Sequence, residues 1–511
     1  MNFLSTNFRR PPRATPIKLE VIDDDEDRSE AAPEDDHPLH PKVESISLSD
    51  IIEKKPSIFF LILIPLIAVY MNLNHINTYL TSLSWETYFY GVFYLRYSRL
   101  VLNLVGTYLY EHVPVPQNPR WDSGDVTVVV PTIDPGNPKF TECLQSILEN
   151  RPRGIRIVTV GDPLLVQCER VAARLRNHYP WSYIHVSSRD HPSKREQVAE
   201  AVRHVATELT VLADDHVFWP SRRFLASAIA PFESDRVGVV APFKRVRRST
   251  PAGEWSVASV LNLVGCCYLQ RHNWELRASN ALDGGVFVVS GRTAVYRTRF
   301  LRSGGLMDRY TREMFFFGML GGRCLLPDDD NFLTRAAYRL GWDVRWQETD
   351  DAAVETTLGD EGVEKFRGQL IRWARTTFRS NPCNLWGGGG LAWQTATRMP
   401  FSYVGVYFAA LCNFAVLWDA AIVVTFCRSG LYNGVFGGAI WKLLGWIVFS
   451  KTVKIWPHFK RYPQDLPLIV FQILFGYVHS FIKFWALITF WDCTWLGRNL
   501  EAVDAMANAG H

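Results

Sequence analysis

Two acidic clusters and one short basic-aromatic run hold the side chains best suited to chemistry. Leu212-Ala213-Asp214-Asp215-His216 ends an apolar run. Hard divalent cations bind clustered carboxylate oxygens, and alternate side chains at a strand end share one side. Asp214 and His216 are therefore the geometric pair, with Asp215 pointing away unless the chain turns. An imidazole among the ligands favours Mn2+ over Mg2+. The second cluster, Asp328-Asp329-Asp330, is followed by Asn331-Phe332-Leu333-Thr334 and opens a helix. Like charges this close raise one pKa, which suits a carboxylate to take a proton from a hydroxyl. Downstream lies Gln369-Leu370-Ile371-Arg372-Trp373. Arg372 is a planar, permanently charged donor fork that fits a diphosphate, and Gln369 lies one turn back on the same helical face. Trp373 adds an indole face and an N–H donor. Each feature has a plainer reading: a solvated acidic turn, an acidic cap that suits the helix dipole, an interfacial helix with snorkelling arginines. Their order along the chain argues for a site.

Alternating strands and helices must position these groups. Residues 126–130 are a β-branched run bounded by Pro131, hence a strand. Residues 140–149 read as a helix, 155–160 as a strand, 196–207 as a helix and 209–212 as a strand. This alternation predicts a mostly parallel sheet with helices on both faces, a Rossmann-like α/β domain. In such a sheet ligands bind beyond the carboxyl ends of strands, where Asp134 and Asp162 fall. Lys194-Arg195 opens a helix at a place where cations gain nothing from the dipole, so a ligand need is expected. Asp283-Gly284-Gly285 precedes an expected strand over 286–289, which leads into Ser290-Gly291-Arg292. Glycines there would let the backbone approach a ligand closely. The basic run Lys244-Arg245-Val246-Arg247-Arg248 reads as a surface or lipid-headgroup patch.

Composition narrows the class. Among 511 residues the net charge is only +4, which does not suggest a nucleic-acid binder. Nine cysteines occur without a Cys-x-x-Cys pair and fit reduced, buried thiols. Residues 1–50 are an acidic, Pro-containing stretch expected to be a disordered cytosolic tail. No basic region precedes the first apolar run, which argues against a cleaved signal peptide. Apolar stretches at 58–73, 88–110, 401–426, 435–456 and 467–495 are candidate membrane spans or interfacial helices. Lys54 and Lys55 place the N-terminal tail in the cytosol. The layout is then a tail at 1–50, transmembrane or interfacial helices at 51–112 and an enzyme domain at 120–358. Interfacial helices at 359–395 follow, then transmembrane helices at 400–498 and a tail at 499–511.

An acidic pair followed by Leu-Thr, then Gln-x-x-Arg-Trp at the mouth of an apolar region, resembles membrane-embedded family 2 glycosyltransferases. The likeness is to cellulose, chitin and hyaluronan synthases, and most closely to fungal type 2, hyaluronan synthase-like enzymes; it covers residues 120–385. It implies a GT-A-like domain beside a helical transmembrane region, in a multi-pass plasma-membrane protein with its enzyme domain cytosolic. It implies Asp330 as catalytic base with Asp329 beside it. Asp134, Asp162, Lys194, Asp214, Gln369 and Arg372 would hold the nucleotide sugar. Mg2+ or Mn2+ would sit on Asp214, Asp215 and His216, although the family's Asp-x-Asp has His in its third place here. Gly291, Arg292 and Trp373 would line the acceptor site, with Arg292 in place of the usual Pro or Cys. The function implied is inverting transfer from a UDP-sugar, extending an extracellular or cell-wall polysaccharide that passes across the bilayer. The alternative is single transfer to a lipid or short glycan.

Overall fold

The computed structural model describes residues 78, 81–251, 253–314, 327–387 and 391–493. The acidic tail, the apolar run at 58–73 and the tail at 499–511 lie outside the described residues.

Among the described residues there are ten strands: β1 (Val126–Pro131), β2 (Gly154–Val160), β3 (Tyr183–Arg189), β4 (Leu209–Ala213), β5 (Val217–Phe218), β6 (Val237–Pro242), β7 (Lys244–Val246), β8 (Thr293–Arg297), β9 (Asp343–Gln347) and β10 (Val354–Thr356). Seven form one sheet in the order β3-β2-β1-β4-β8-β6-β9, and β5-β10-β7 form a small second sheet. Within the large sheet only β8 runs antiparallel to its neighbours. The mostly parallel sheet expected from the alternation is thus present, with one reversed strand inserted.

Every residue of β1 and β4 is buried, as expected of strands covered on both faces. Successive side chains point to opposite faces, so β1 feeds two cores. Val126, Val128 and Val130 pack with helix α2 (Pro138–Leu148) and helix α3 (Gly161–His178). Val129 packs on the other face with helix α4 (Lys194–Arg203). The long helix α5 (Val257–Asp283) carries the chain across the domain before β8. Helix α6 (Asp329–Arg339) joins the second core, and helix α7 (Val363–Trp386) follows β10.

Two expectations fail here. Residues 286–289 form no strand: the Val286 N–H donates to the Tyr338 hydroxyl and the Val289 N–H to Thr334 Oγ1. Side chains of α6 thus take the donors that a ladder would use. The basic run at 244–248 is no surface patch either. Lys244 is buried with its ammonium over the Trp346 ring, Arg245 and Arg247 pair with Glu355, and Arg248 pairs with buried Asp465. Pairing β7 with β10 turns these cations inward, and carboxylates distant in sequence neutralise them.

The helices after residue 400 are shorter and more bent than their apolar runs suggest. Among the described residues one helix, Pro463–Leu487, is long and apolar enough to cross a membrane. Its face bearing Val470, Leu474, Val478, Phe481 and Trp485 is exposed. Residues 401–426 instead form Ser402–Cys412 and Ala415–Arg428, bent by 87° at the break. The helix expected at 88–110 spans Trp85–Leu109 but turns Arg96 and Arg99 towards Asn413 and Glu275. At Gly106 a Cβ would stand 2.4 Å from the Ala278 carbonyl oxygen, so only glycine lets this helix lie so close to α5.

Candidate active site

Beyond the carboxyl ends of β1 and β4 opens a cavity of about 710 Å³. It is lined by Thr132, Asp134, Lys194, Asp214, Asp215 and His216 together with Gly291, Arg292 and the three aspartates 328–330. Gln369, Arg372 and Trp373 of α7 close the far wall, and beyond them the space continues to Arg271, His479 and Lys483. Segments separated by some two hundred residues in sequence therefore converge on one space.

The three successive aspartates have three different partners. Asp328 accepts from Arg379 Nε (2.7 Å) and Nη2 (3.1 Å) and from Thr376 Oγ1 (2.5 Å). Burial raises its pKa, but Arg379 outweighs burial and holds the carboxyl below its ordinary range. Its φ of 64° is left-handed, a conformation that L residues adopt at a cost. The buried Arg379 pair secures it. Asp329 meets Lys194 Nζ at 3.1 Å. Among the described residues Asp330 has no cation in direct contact; the Gly291 N–H (3.1 Å), the Asn331 N–H (2.9 Å) and Asn331 Nδ2 (3.1 Å) donate to it. Burial and then the Asp329 charge push its pKa up to about 6. A carboxylate poised near neutrality, aimed into a cavity and oriented by backbone amides, is suited to general-base work.

The other cluster is arranged differently from its strand-end pattern. The chain turns after β4, so Asp215 points inward and accepts from Thr132 Oγ1 at 2.8 Å. His216 Nδ1 lies 2.8 Å from Asp215, and Lys194 Nζ lies 2.8 Å from Asp214. Burial opposes the Lys194 charge, yet Asp214 and Asp329 hold its pKa well above the ordinary lysine range. Among the described residues no three His, Cys, Asp or Glu side chains converge as a ready-made metal site. The expected Asp214–His216 pairing gives way to Lys194–Asp214 and Asp215–His216. The donor types still suit a divalent cation: two carboxylates, plus an imidazole that spends only Nδ1 on Asp215.

Glycine at 291 has a plain reason, since a Cβ there would lie 3.1 Å from Lys194 Nζ and 3.6 Å from Asp330 Cβ. Gly284 and Gly285 do not face the cavity. Gly284 ends α5 at φ 79°, and a Cβ on Gly285 would collide with Ser402 Oγ. Asp134 is exposed at the cavity rim and accepts from Asn137 Nδ2. Asp162 is not in the cavity lining: β2 runs straight into α3, which puts Asp162 in the first helical turn, exposed. Trp373 has Tyr268 stacked at 5.5 Å and 23° and the Arg292 guanidinium 5.2 Å from its ring centre. Tyr268, Arg271, Thr376 and Arg379 also join the site, and the sequence assigned none of them a role in it. Arg379 lies two turns past Arg372 in the same helix, and that spacing was the available signal.

A family model described as "Glycosyltransferase like family 2" matches residues 123–376. A type 2 glycosyltransferase of Zymoseptoria tritici is 33% identical over 423 residues, covering 82% of this chain and 85% of that protein. One of Pyricularia oryzae is 32% identical over 429 residues, covering 82% and 84%. Among solved structures, the chain is similar to the mannosyltransferase PcManGT of Pyrobaculum calidifontis, in complex with GDP-Man and Mn2+. That match has 16% identity and a TM-score of 0.45, covering 77% of this chain and 99% of that one.

Proposed function

This chain belongs to the type 2 glycosyltransferases, and on that footing we propose that it extends a glycan from a UDP-sugar by inverting transfer at a membrane. That it is a glycosyltransferase using a nucleotide sugar follows from the family; donor, acceptor and location are our reading. The observation that carries it is Asp330, a carboxylate with a pKa near 6 held by the Gly291 amide in the same cavity as Arg372.

In the proposed step the acceptor hydroxyl oxygen bonds to the anomeric carbon as the bond to the UDP oxygen breaks. Asp330 takes the hydroxyl proton, and the leaving diphosphate takes the bonding pair. Arg372 and Lys194 supply positive charge where the diphosphate departs, which lowers the barrier more in a water-poor site than in water. Asp134 would accept from the nucleoside and Gln369 would help to hold the donor, a reading supported by both lining the cavity. Asp162 has no such position in the cavity and would need another conformation to join. Asp214, Asp215 and His216 would hold a divalent cation, which would neutralise the diphosphate. Tyr268 and Arg292 pack against the Trp373 ring, so it would meet the acceptor through its edge and N–H while holding Arg292.

Membrane attachment is supported by the exposed apolar face of Pro463–Leu487. Passage of a growing chain outward is supported by the continuation of the cavity past Trp373 to residues of that helix. The test is a radiolabelled UDP-sugar panel on membranes containing the full-length protein, with products sized at early times. Long chains from a UDP-sugar are expected. Products no longer than one added sugar would favour single transfer to a lipid or short glycan.

A further inference from the structure

A line of buried polar side chains runs up to Asp330 from the side away from the diphosphate-binding groups proposed above. Asn331 and Arg335 lie one turn apart on the same face of α6, and Ser380 of α7 bonds to both. Arg335 Nη1 donates to Ser380 Oγ, and Ser380 Oγ donates to Asn331 Oδ1 at 3.0 Å. Asn331 Nδ2 in turn donates to Asp330 Oδ1 at 3.1 Å, beside the Asn331 backbone N–H at 2.9 Å. Behind this line Glu313 joins two guanidiniums, accepting from Arg335 Nη2 at 2.6 Å and from Arg195 Nη2 at 2.8 Å. Arg195 also donates to the carbonyl oxygens of Tyr310 at 2.6 Å and Pro327 at 2.9 Å. Arg195, Asn331, Arg335 and Ser380 are all buried.

The chemistry of these groups gives the line one direction. A guanidinium only donates, so Ser380 accepts from Arg335 and its single proton is left for Asn331 Oδ1. With Oδ1 engaged, the amide turns Nδ2 towards Asp330. The reversed amide would set Asn331 Oδ1 against a carboxylate oxygen, two acceptors with no proton between them. The two oxygens of Asp330 are thereby made unequal. Oδ1 holds two donors, whereas Oδ2 accepts from the Gly291 N–H alone among the described residues. Each carboxylate oxygen offers about two lone-pair sites, so only Oδ2 keeps one open.

We infer that Asn331 is a positioning residue: held by Ser380 and Arg335, it occupies Asp330 Oδ1 so that Oδ2 takes the acceptor's proton. This rests on the reading of Asp330 as the base and adds which of its atoms reacts. The hydroxyl proton passes to Oδ2 as the hydroxyl oxygen bonds to the anomeric carbon and the bonding pair leaves on UDP. Asn331 gives up no proton; its Nδ2 donor also favours the charged carboxylate. The other groups acting on Asp330 are Asp328 and Asp329 of its own helix, Lys194 of α4, Lys244 of β7, Tyr296 of β8, Arg292, and Arg372 of α7. A variant that keeps all of these and loses only the Nδ2 donor isolates that one bond.

The experiment follows kcat/KM against pH on membranes containing the full-length protein, with the radiolabelled UDP-sugar that the panel above selects. Losing a donor to the charged form raises a carboxyl pKa, and a base works only when ionised, so the acid limb moves to higher pH. Asn331→Ala is expected to move that limb up by about one pH unit and to lower kcat about tenfold, the size of a hydrogen bond to a charged group. UDP affinity by calorimetry should stay near wild type. Ser380→Ala should move the limb the same way by less. The double variant should match Asn331→Ala alone, because Ser380 reaches Asp330 only through Asn331. A limb that stays put or moves down in Asn331→Ala, or shifts that add in the double variant, would overturn the assignment. Should Asn331→Ala bind no UDP, Ser380→Ala decides by the same limb, and an unmoved limb there overturns it. Full turnover in Asp330→Asn would instead remove the base and the reading beneath this one. Loss of transfer there, with an unmoved limb in Asn331→Ala, overturns the positioning role alone.

Discussion

The acidic clusters at residues 214–216 and 328–330 line one cavity and share Lys194, yet their environments oppose each other. At the end of β4 Asp214 has an ammonium and Asp215 has a hydroxyl and an imidazole. At the start of α6 the cations go to Asp328 and Asp329, and Asp330 is left with two backbone amides, the Asn331 side-chain amide and a neighbouring negative charge. Burial acts on both clusters and raises carboxylate pKa values in both. Lys194 reverses that effect at Asp214, whereas nothing reverses it at Asp330. Composition alone would rank the two clusters alike. Which carboxylate stays ionised to bind and which can pick up a proton depends on where the neighbouring cations reach.

The largest test of this contrast is Asp330→Asn. It should cut transfer by ~10²–10⁴-fold, the usual cost of a lost general base. UDP affinity should stay near wild type, because Asp330 does not touch the nucleotide in the proposed arrangement. Near-normal turnover would remove Asp330 from the mechanism.

Arg379→Met tests the support beneath the catalytic carboxylate. It leaves Asp328 buried without its cation and should cost roughly 3–5 kcal/mol at pH 7. In the wild type the depressed Asp328 pKa contributes stability above the ordinary carboxylate range, lost as pH falls through the folded value. The variant lacks that contribution, so its deficit in detergent-solubilised unfolding should shrink as pH falls. A deficit independent of pH would mean that the pair does not act through charge.

A smaller effect is expected from Asp329→Asn. Transfer needs the Asp330 carboxylate, so the wild-type rate should fall as pH drops through about 6. Removing the Asp329 charge takes away a cause of that raised pKa and frees Lys194 to face Asp330. The acid limb of kcat/KM should therefore move to lower pH by about one unit. A limb that stays put would mean that another group controls it.

The mildest change belongs to the first cluster. His216→Asp replaces imidazole with oxygen donors and should keep or improve activity with Mg2+, while excess chelator should abolish transfer in both proteins. Full activity in chelator would show that Asp214, Asp215 and His216 hold no catalytic ion.

Much of the frame was legible in the chain itself. Strands β1, β2 and β4 lie within about one residue of their apolar runs, since a strand buried on both faces is largely apolar and β-branched. Helices α2 and α4 begin within two residues of their expected starts, each behind a side-chain cap, although α4 ends earlier. The order of the acidic pair and Gln-x-x-Arg-Trp was enough to indicate the reaction class. The partner of each charge was not legible, because it comes from sequence positions far away. Arg248 finds Asp465 across 217 residues, Arg379 finds Asp328 across 51, and Lys194 pairs with both Asp214 and Asp329. Periodicity and propensity are local properties that a sequence carries with it. The pKa of Asp330, the inward turn of the basic run and the hydrogen-bonded line from Arg335 to Asp330 depend on distances that exist only once the chain has folded.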